Sequence, residues 1–190
     1  MTMASFTIKP SSISCLVLMF LLFASSSSYA SNKVVDVSTI CKETENPSFC
    51  LNILNSKPGG AKGADLVTLA QYTIDVVRGN VTNSISLIKS LIEQSGKDPK
   101  AKAHYEECLV HFSEEEGALG DINQTQELLK KGDYVGVNSA ASAVTTDVQD
   151  CISGEDPDDP TYPDKSKLLE YADIIEQVVS IILVISNYLR

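Results

Sequence analysis

Apolar residues recur every three or four positions through four long stretches of this chain, and that spacing leaves few folds open. From Asp65 to Ser95 they fall at Leu66, Leu69, Ala70, Ile74, Val77, Val81, Ile85, Ile88, Leu91 and Ile92. A second run holds Ala101, Tyr105, Cys108, Leu109, Phe112, Leu119, Ile122 and Leu129. The third reads Tyr134, Val137, Ala141, Val144, Val148, Cys151, and the fourth Leu168, Ala172, Ile175, Val179, Ile182, Ser186, Leu189. Each set lines one face of an α-helix. Gly96-Lys97-Asp98-Pro99 and Gly132-Asp133 break the pattern as short turns. No strand alternation competes. The expectation is an all-α fold, an antiparallel up-down-up-down four-helix bundle over residues 64–190. The third run is rich in Val and Thr, so packing rather than propensity must hold it helical.

Residues 31–63 read differently. Asn46 can cap a helix that starts at Pro47, which suits an N-terminal helical hairpin. Ser56 to Gly63 carries Pro58, Gly59, Gly60 and Gly63 and reads as a linker. Ser153 to Asp164, with Pro157, Pro160, Pro163 and a run of acids, reads as an exposed connection.

Residues 1–30 hold one charged side chain, Lys9, then an apolar run from Cys15 to Ala24 and small residues at Ser28 and Ala30. That is the layout of a secretory signal peptide cut after Ala30. The apolar run is about half the roughly 20 residues a membrane span needs. The mature chain is therefore expected to be secreted, with no membrane segment. At its other end, Val178 to Ile185 is strongly apolar, but Asp173 and Glu176 precede it in helical register. It reads as a buried bundle helix rather than a lipid-anchor signal.

The 15 Lys and Arg less Lys9, set against 25 Asp and Glu, give the mature chain a net charge of −11. Such a surface does not suit nucleic acid and favours encounter with a basic partner. Of the 5 cysteines, Cys15 leaves with the signal peptide. Cys41, Cys50, Cys108 and Cys151 remain, an even set that predicts two disulfides in an oxidising compartment. Folding the second run back on the third about Gly132-Asp133 puts the position opposite Cys108 about two turns from Cys151. That geometry favours a Cys108–Cys151 bridge and leaves Cys41–Cys50 as the local pair. Asn80-Val81-Thr82 and Asn123-Gln124-Thr125 are N-glycosylation candidates, while Pro47 excludes Asn46.

Catalytic chemistry finds little to work with. The 2 histidines, His104 and His111, lie two turns apart on one helix, so a nucleophile–base–acid triad has no parts. GxSxG, HExxH, CxxC and phosphate-binding glycine loops are absent from the sequence. His104, Cys108 and His111 share a face, but an oxidised Cys108 is not a metal ligand. Glu114-Glu115-Glu116 and Asp156, Asp158, Asp159 read as solvated acids. The chain is expected to be neither an enzyme nor a metal or cofactor protein.

Several segments together resemble one known family. Ile40 to Leu51, with Cys41 and Cys50, resembles the opening motif of the plant invertase and pectin methylesterase inhibitors. Tyr105-Glu106-Glu107-Cys108, Lys131-Gly132-Asp133-Tyr134 and Ser142 to Asp147, on to Cys151, resemble its middle. Val184-Ile185-Ser186-Asn187 with Leu189 resembles its end. The resemblance implies a four-helix bundle with a helical hairpin, bridges Cys41–Cys50 and Cys108–Cys151, and a role as a proteinaceous inhibitor. Its partner would be pectin methylesterase in a one-to-one complex, covered non-covalently at the pectin-binding cleft, or alternatively cell-wall or vacuolar acid invertase. Invertase inhibitors often carry Pro-Lys-Phe in the third helix. Asn138-Ser139-Ala140 stands there instead, which with Asn46-Pro47-Ser48 favours the esterase. Implied partner-facing residues are Glu107, Glu114, Thr146, Asp147 and Asp150, and the implied location is the apoplast and cell wall. No catalytic region follows Arg190, so a free-standing inhibitor is expected rather than a pro-region. The segment also departs from the family pattern at Val110, Glu115, Glu116 and Gly117, the last expected in mid-helix.

Overall fold

The computed structural model describes residues 33–154 and 162–190. Residues 1–30, expected to be a signal peptide, and Asp156, Asp158 and Asp159 of the acidic connection lie outside the described residues. Seven helices occur among the described residues: α1 Val37–Lys42, α2 Pro47–Asn55, α3 Leu66–Gln94, α4 Pro99–His111, α5 Ala118–Lys131, α6 Tyr134–Ser153 and α7 Leu168–Leu189. The one extended pairing described is an isolated antiparallel bridge between Val34 and Asp65.

Most helix starts are written in the sequence. Asp36, Asn46, Asp65, Asp98 and Asp133 each accept a backbone N–H of the first turn that follows, which satisfies donors that have no partner within the helix. Pro47 and Pro99 occupy first-turn positions, where their missing N–H costs nothing. The end of α5 falls on Gly132 at φ 72°, a left-handed conformation that glycine adopts without a Cβ clash. That single residue makes the tight reversal into α6.

The bundle has four arms: α3, the pair α4 and α5, then α6 and α7. Around the ring, α3 packs on α7 and on the α4–α5 arm, and α6 packs on the other side of both. The core is the predicted stripes brought together: Leu69, Ile74, Val81 and Ile88 of α3, Ile122 of α5, Val144 and Val148 of α6, and Ile175, Ile181, Ile182 and Ile185 of α7 are all essentially inaccessible to solvent. The apolar stretch from Val178 to Ile185 is thus spent inside the bundle. Among the described residues no helix is long and apolar enough to cross a membrane. The hairpin α1–α2 is closed by Cys41–Cys50, with Cα atoms 5.4 Å apart. It docks on α7 through Asn46 Nδ2, which donates to Gln177 Oε1 at 2.8 Å, and through the Tyr188 hydroxyl, which donates to Glu43.

One expectation needs correcting. The second run is not one helix: it stops at His111 and restarts at Ala118. Gly117 is not in mid-helix but is the residue before α5, with extended backbone. A Cβ there would sit 2.3 Å from the His111 carbonyl oxygen, and one on Gly120 would sit 2.4 Å from the Glu114 carbonyl oxygen. At Gly117 the connection folds tightly onto the end of α4, and at Gly120 the first turn of α5 closes onto the connection, both places where only a hydrogen fits. Glu114, Glu115 and Glu116 ride on the outside of this turn, exposed, as solvated acids should be.

Candidate partner-binding site

The Cys108–Cys151 bridge, with Cα atoms 4.5 Å apart, ties α4 to the last turn of α6. It lies buried on both sides. Glu107 and Asp150 each precede one of its cysteines, so the bridge brings them to one seam: Glu107 exposed on α4, Asp150 half-buried on α6. Thr146 is exposed and Asp147 half-buried on the same helix. Three of the five candidate residues therefore share α6, and Glu107 joins them across the bridge. Glu114 is placed elsewhere. Its Oε1 accepts from Asn123 Nδ2 at 3.4 Å, and Asn123 Oδ1 in turn accepts from Arg78 Nε at 3.3 Å. Arg78 also donates to Asp75 at 2.9 Å and to Gln126 Oε1. Glu114 thus belongs to a polar network over the α3–α5 seam.

Sequence reasoning missed Arg78, Gln126 and Asp121. Asp121 is hydrogen-bonded to Asp147 across the α5–α6 seam. Burial, then the charges of Asp121 and Asp150, push the Asp147 carboxyl up to about 7. The signal was available: Asp121 follows Ala118 by three, and Asp147 follows Val144 by three, so each stands at the edge of an apolar stripe.

The glycosylation candidates both lie within helices. Asn80 is half-buried on α3 with its Nδ2 donating to the Val76 carbonyl at 2.9 Å. Asn123 is held at both ends, and the hydroxyl of its motif's Thr125 is buried and donates to the Asp121 carbonyl at 2.7 Å.

His104 is packed into the structure and His111 is buried at the end of α4. His104 stacks on Tyr162 with ring centroids 4.7 Å apart, and its Nε2 lies 3.8 Å from Cys108 Sγ. Burial holds its imidazole below the ordinary value, against the opposing pull of Asp164 and Glu107. The neighbouring Tyr105 donates to Asp164 Oδ1 at 2.7 Å; burial and that bond push the phenol up to about 12. Among the described residues no group of three or more His, Cys, Asp or Glu side chains is arranged to hold a metal ion. Glu107 on α4 and Thr146, Asp147 and Asp150 on α6 thus stand on two helices joined covalently by the Cys108–Cys151 bridge.

Comparison with known proteins is decisive at this point. A family profile described as Plant invertase/pectin methylesterase inhibitor matches residues 35–185. The chain belongs to that family. It is similar to the Pectinesterase inhibitor of Actinidia deliciosa, 37% identical over 155 residues that cover 80% of this chain and 78% of the relative. It is also similar to Pectinesterase inhibitor 1 of Arabidopsis thaliana, 34% identical over 172 residues that cover 90% and 91%. Among solved structures, the crystal structure of mutant form A of a pectin methylesterase inhibitor from Arabidopsis matches with a TM-score of 0.66 at 31% identity, covering 81% of this chain and 97% of that one. These relatives are named as inhibitors of an enzyme, not as enzymes.

Proposed function

We propose that this chain is a secreted inhibitor of pectin methylesterase that acts by lying non-covalently across the enzyme's pectin-binding cleft, one inhibitor to one enzyme. The observation that carries the reading is its identity to pectinesterase inhibitors across most of the length of both chains. The physical features agree with it. A disulfide-tied bundle is rigid, so binding costs little ordering entropy. Its acidic charge favours a basic partner surface. Glu107, Thr146 and Asp150 on the α4–α6 ridge supply the contact groups, Asp147 supports them from behind, and Glu114 adds a separate acidic contact from the α3–α5 seam. Residues 1–30 direct the chain to the apoplast and cell wall and are removed after Ala30.

The test is a pair of assays run together: methanol release from pectin by a plant pectin methylesterase, and sucrose cleavage by an acid invertase. The expected outcome is loss of methanol release at equimolar inhibitor, with sucrose cleavage unchanged. Loss of sucrose cleavage alone transfers the reading to invertase, and loss of neither removes both. Glu114→Lys should weaken the esterase complex about tenfold through its charge at the rim, without change in helicity. Unchanged affinity would take Glu114 out of the site.

A further inference from the structure

Where α5 packs on α6, two carboxyl groups meet. Asp121 and Asp147 are hydrogen-bonded to each other. An ionised carboxylate has no donor, so this bond exists only while one of the two holds a proton. Asp147 Oδ2 is shut off from water, and no nitrogen or hydroxyl donates to it. A buried lone pair without a donor is unfavourable when charged and tolerable when the group is neutral. We infer that Asp121 and Asp147 share one proton across the α5–α6 seam, and that this proton makes the seam a pH-sensitive joint in the bundle.

The charged surroundings leave the pair without compensation. On α6 itself, Asp150 adds a third acid that opposes a second charge. On α3, which packs on α5, Arg78 is engaged by Asp75, Asn123 and Gln126. The α4–α5 connection adds the exposed Glu114, Glu115 and Glu116. α7, which packs on α6, adds Asp173 and Glu176, the latter also raised by burial. α4 contributes exposed Glu107 and the buried His111, a titratable group for which the test must control.

The direction of the pH effect follows. The folded chain holds a proton up to about pH 7, whereas an unfolded Asp releases it near pH 4. The joint is therefore most stable below the ordinary carboxylate range. It weakens as pH rises toward 7, where both groups ionise and repel across the seam.

Carboxyl-carbon NMR of the intact, disulfide-bonded protein tests this directly. The Asp147 carboxyl carbon should titrate at about pH 7, with the Asp121 resonance moving at the same midpoint, as a shared proton requires. In Asp121→Asn the Asp147 midpoint should fall by at least about one pH unit, since the opposing charge is gone. In His111→Gln it should stay. Titration of Asp147 below about pH 5 would overturn the proposal, as would loss of the step in His111→Gln. If the variants fail to fold, the titration of the unsubstituted protein decides by itself.

Discussion

The second and fourth arms of the bundle are held by different means. α7 is one unbroken helix whose buried residues are aliphatic apart from Ser186. The α4–α5 arm buries Tyr105, Cys108, His111 and Thr125 among fewer aliphatic groups, and it is broken in the middle. It is also where the cross-links gather: the Cys108–Cys151 bridge, the Arg78 network, the Tyr105–Asp164 bond and the shared carboxyl pair. Dispersed apolar burial can hold a helix without specific bonds. Where that burial thins, covalent and polar ties take its place, and with the disulfide comes a sensitivity to redox state that α7 lacks.

That contrast can be broken at its strongest tie. Replacing Cys108 and Cys151 by alanine opens a loop of sequence separation 43, a loss of about 4 kcal/mol from chain entropy. Hydrogen exchange should show α4 amides becoming labile well before those of α7; equal loss in both arms would show that the arms are not held differently. A smaller effect should follow from Gly117→Ala. Its Cβ would meet the His111 carbonyl, and relieving such an overlap costs about 2 kcal/mol, readable in a urea melt. A neutral result would mean that the connection yields. Smallest is the effect of His104. Its folded value is depressed by burial, so the unfolded chain takes up a proton below about pH 6.5 while the folded chain does not. Stability should therefore fall as pH drops through that range, opposite in sign to the Asp121–Asp147 joint. His104→Gln should lose less thermal stability between pH 7 and pH 5 than the unsubstituted chain.

The same contrast explains what was legible in the sequence. α3, α6 and α7 could be read from their stripes because one period runs their full length, and Asn46, Pro47 and Gly132 announced their roles through elementary backbone chemistry. The break after His111 was hidden by the period itself. Phe112 and Leu119 are seven apart, two helical turns, so the stripe reads straight through a gap that is not helical. Only Gly117 and Gly120 marked it, and their meaning lies in contacts with carbonyls that no local pattern displays. Arg78 and Asp121 were missed for a related reason. A charged residue at a stripe edge looks solvated until the partner helix, whose side chains decide its environment, is in place. Glu114 and the α6 acids could be named by resemblance, but their separation onto two seams came from the turn at 112–117.

One small contact between α6 and α7 has a larger consequence. Asn138 Nδ2 donates to Ser186 Oγ at 2.8 Å, with Ser186 fully enclosed. Aliphatic rows are nearly indifferent to sliding by one turn, about 5.4 Å, because isoleucine would simply exchange one greasy neighbour for another. Parting the amide from the hydroxyl would cost the cross-helix bond and leave the enclosed Ser186 only the Leu183 carbonyl of its own helix. The pair works as a tooth and notch that favours one vertical setting of α6 against α7, and so helps set the height at which the α6 groups of the outer ridge are presented.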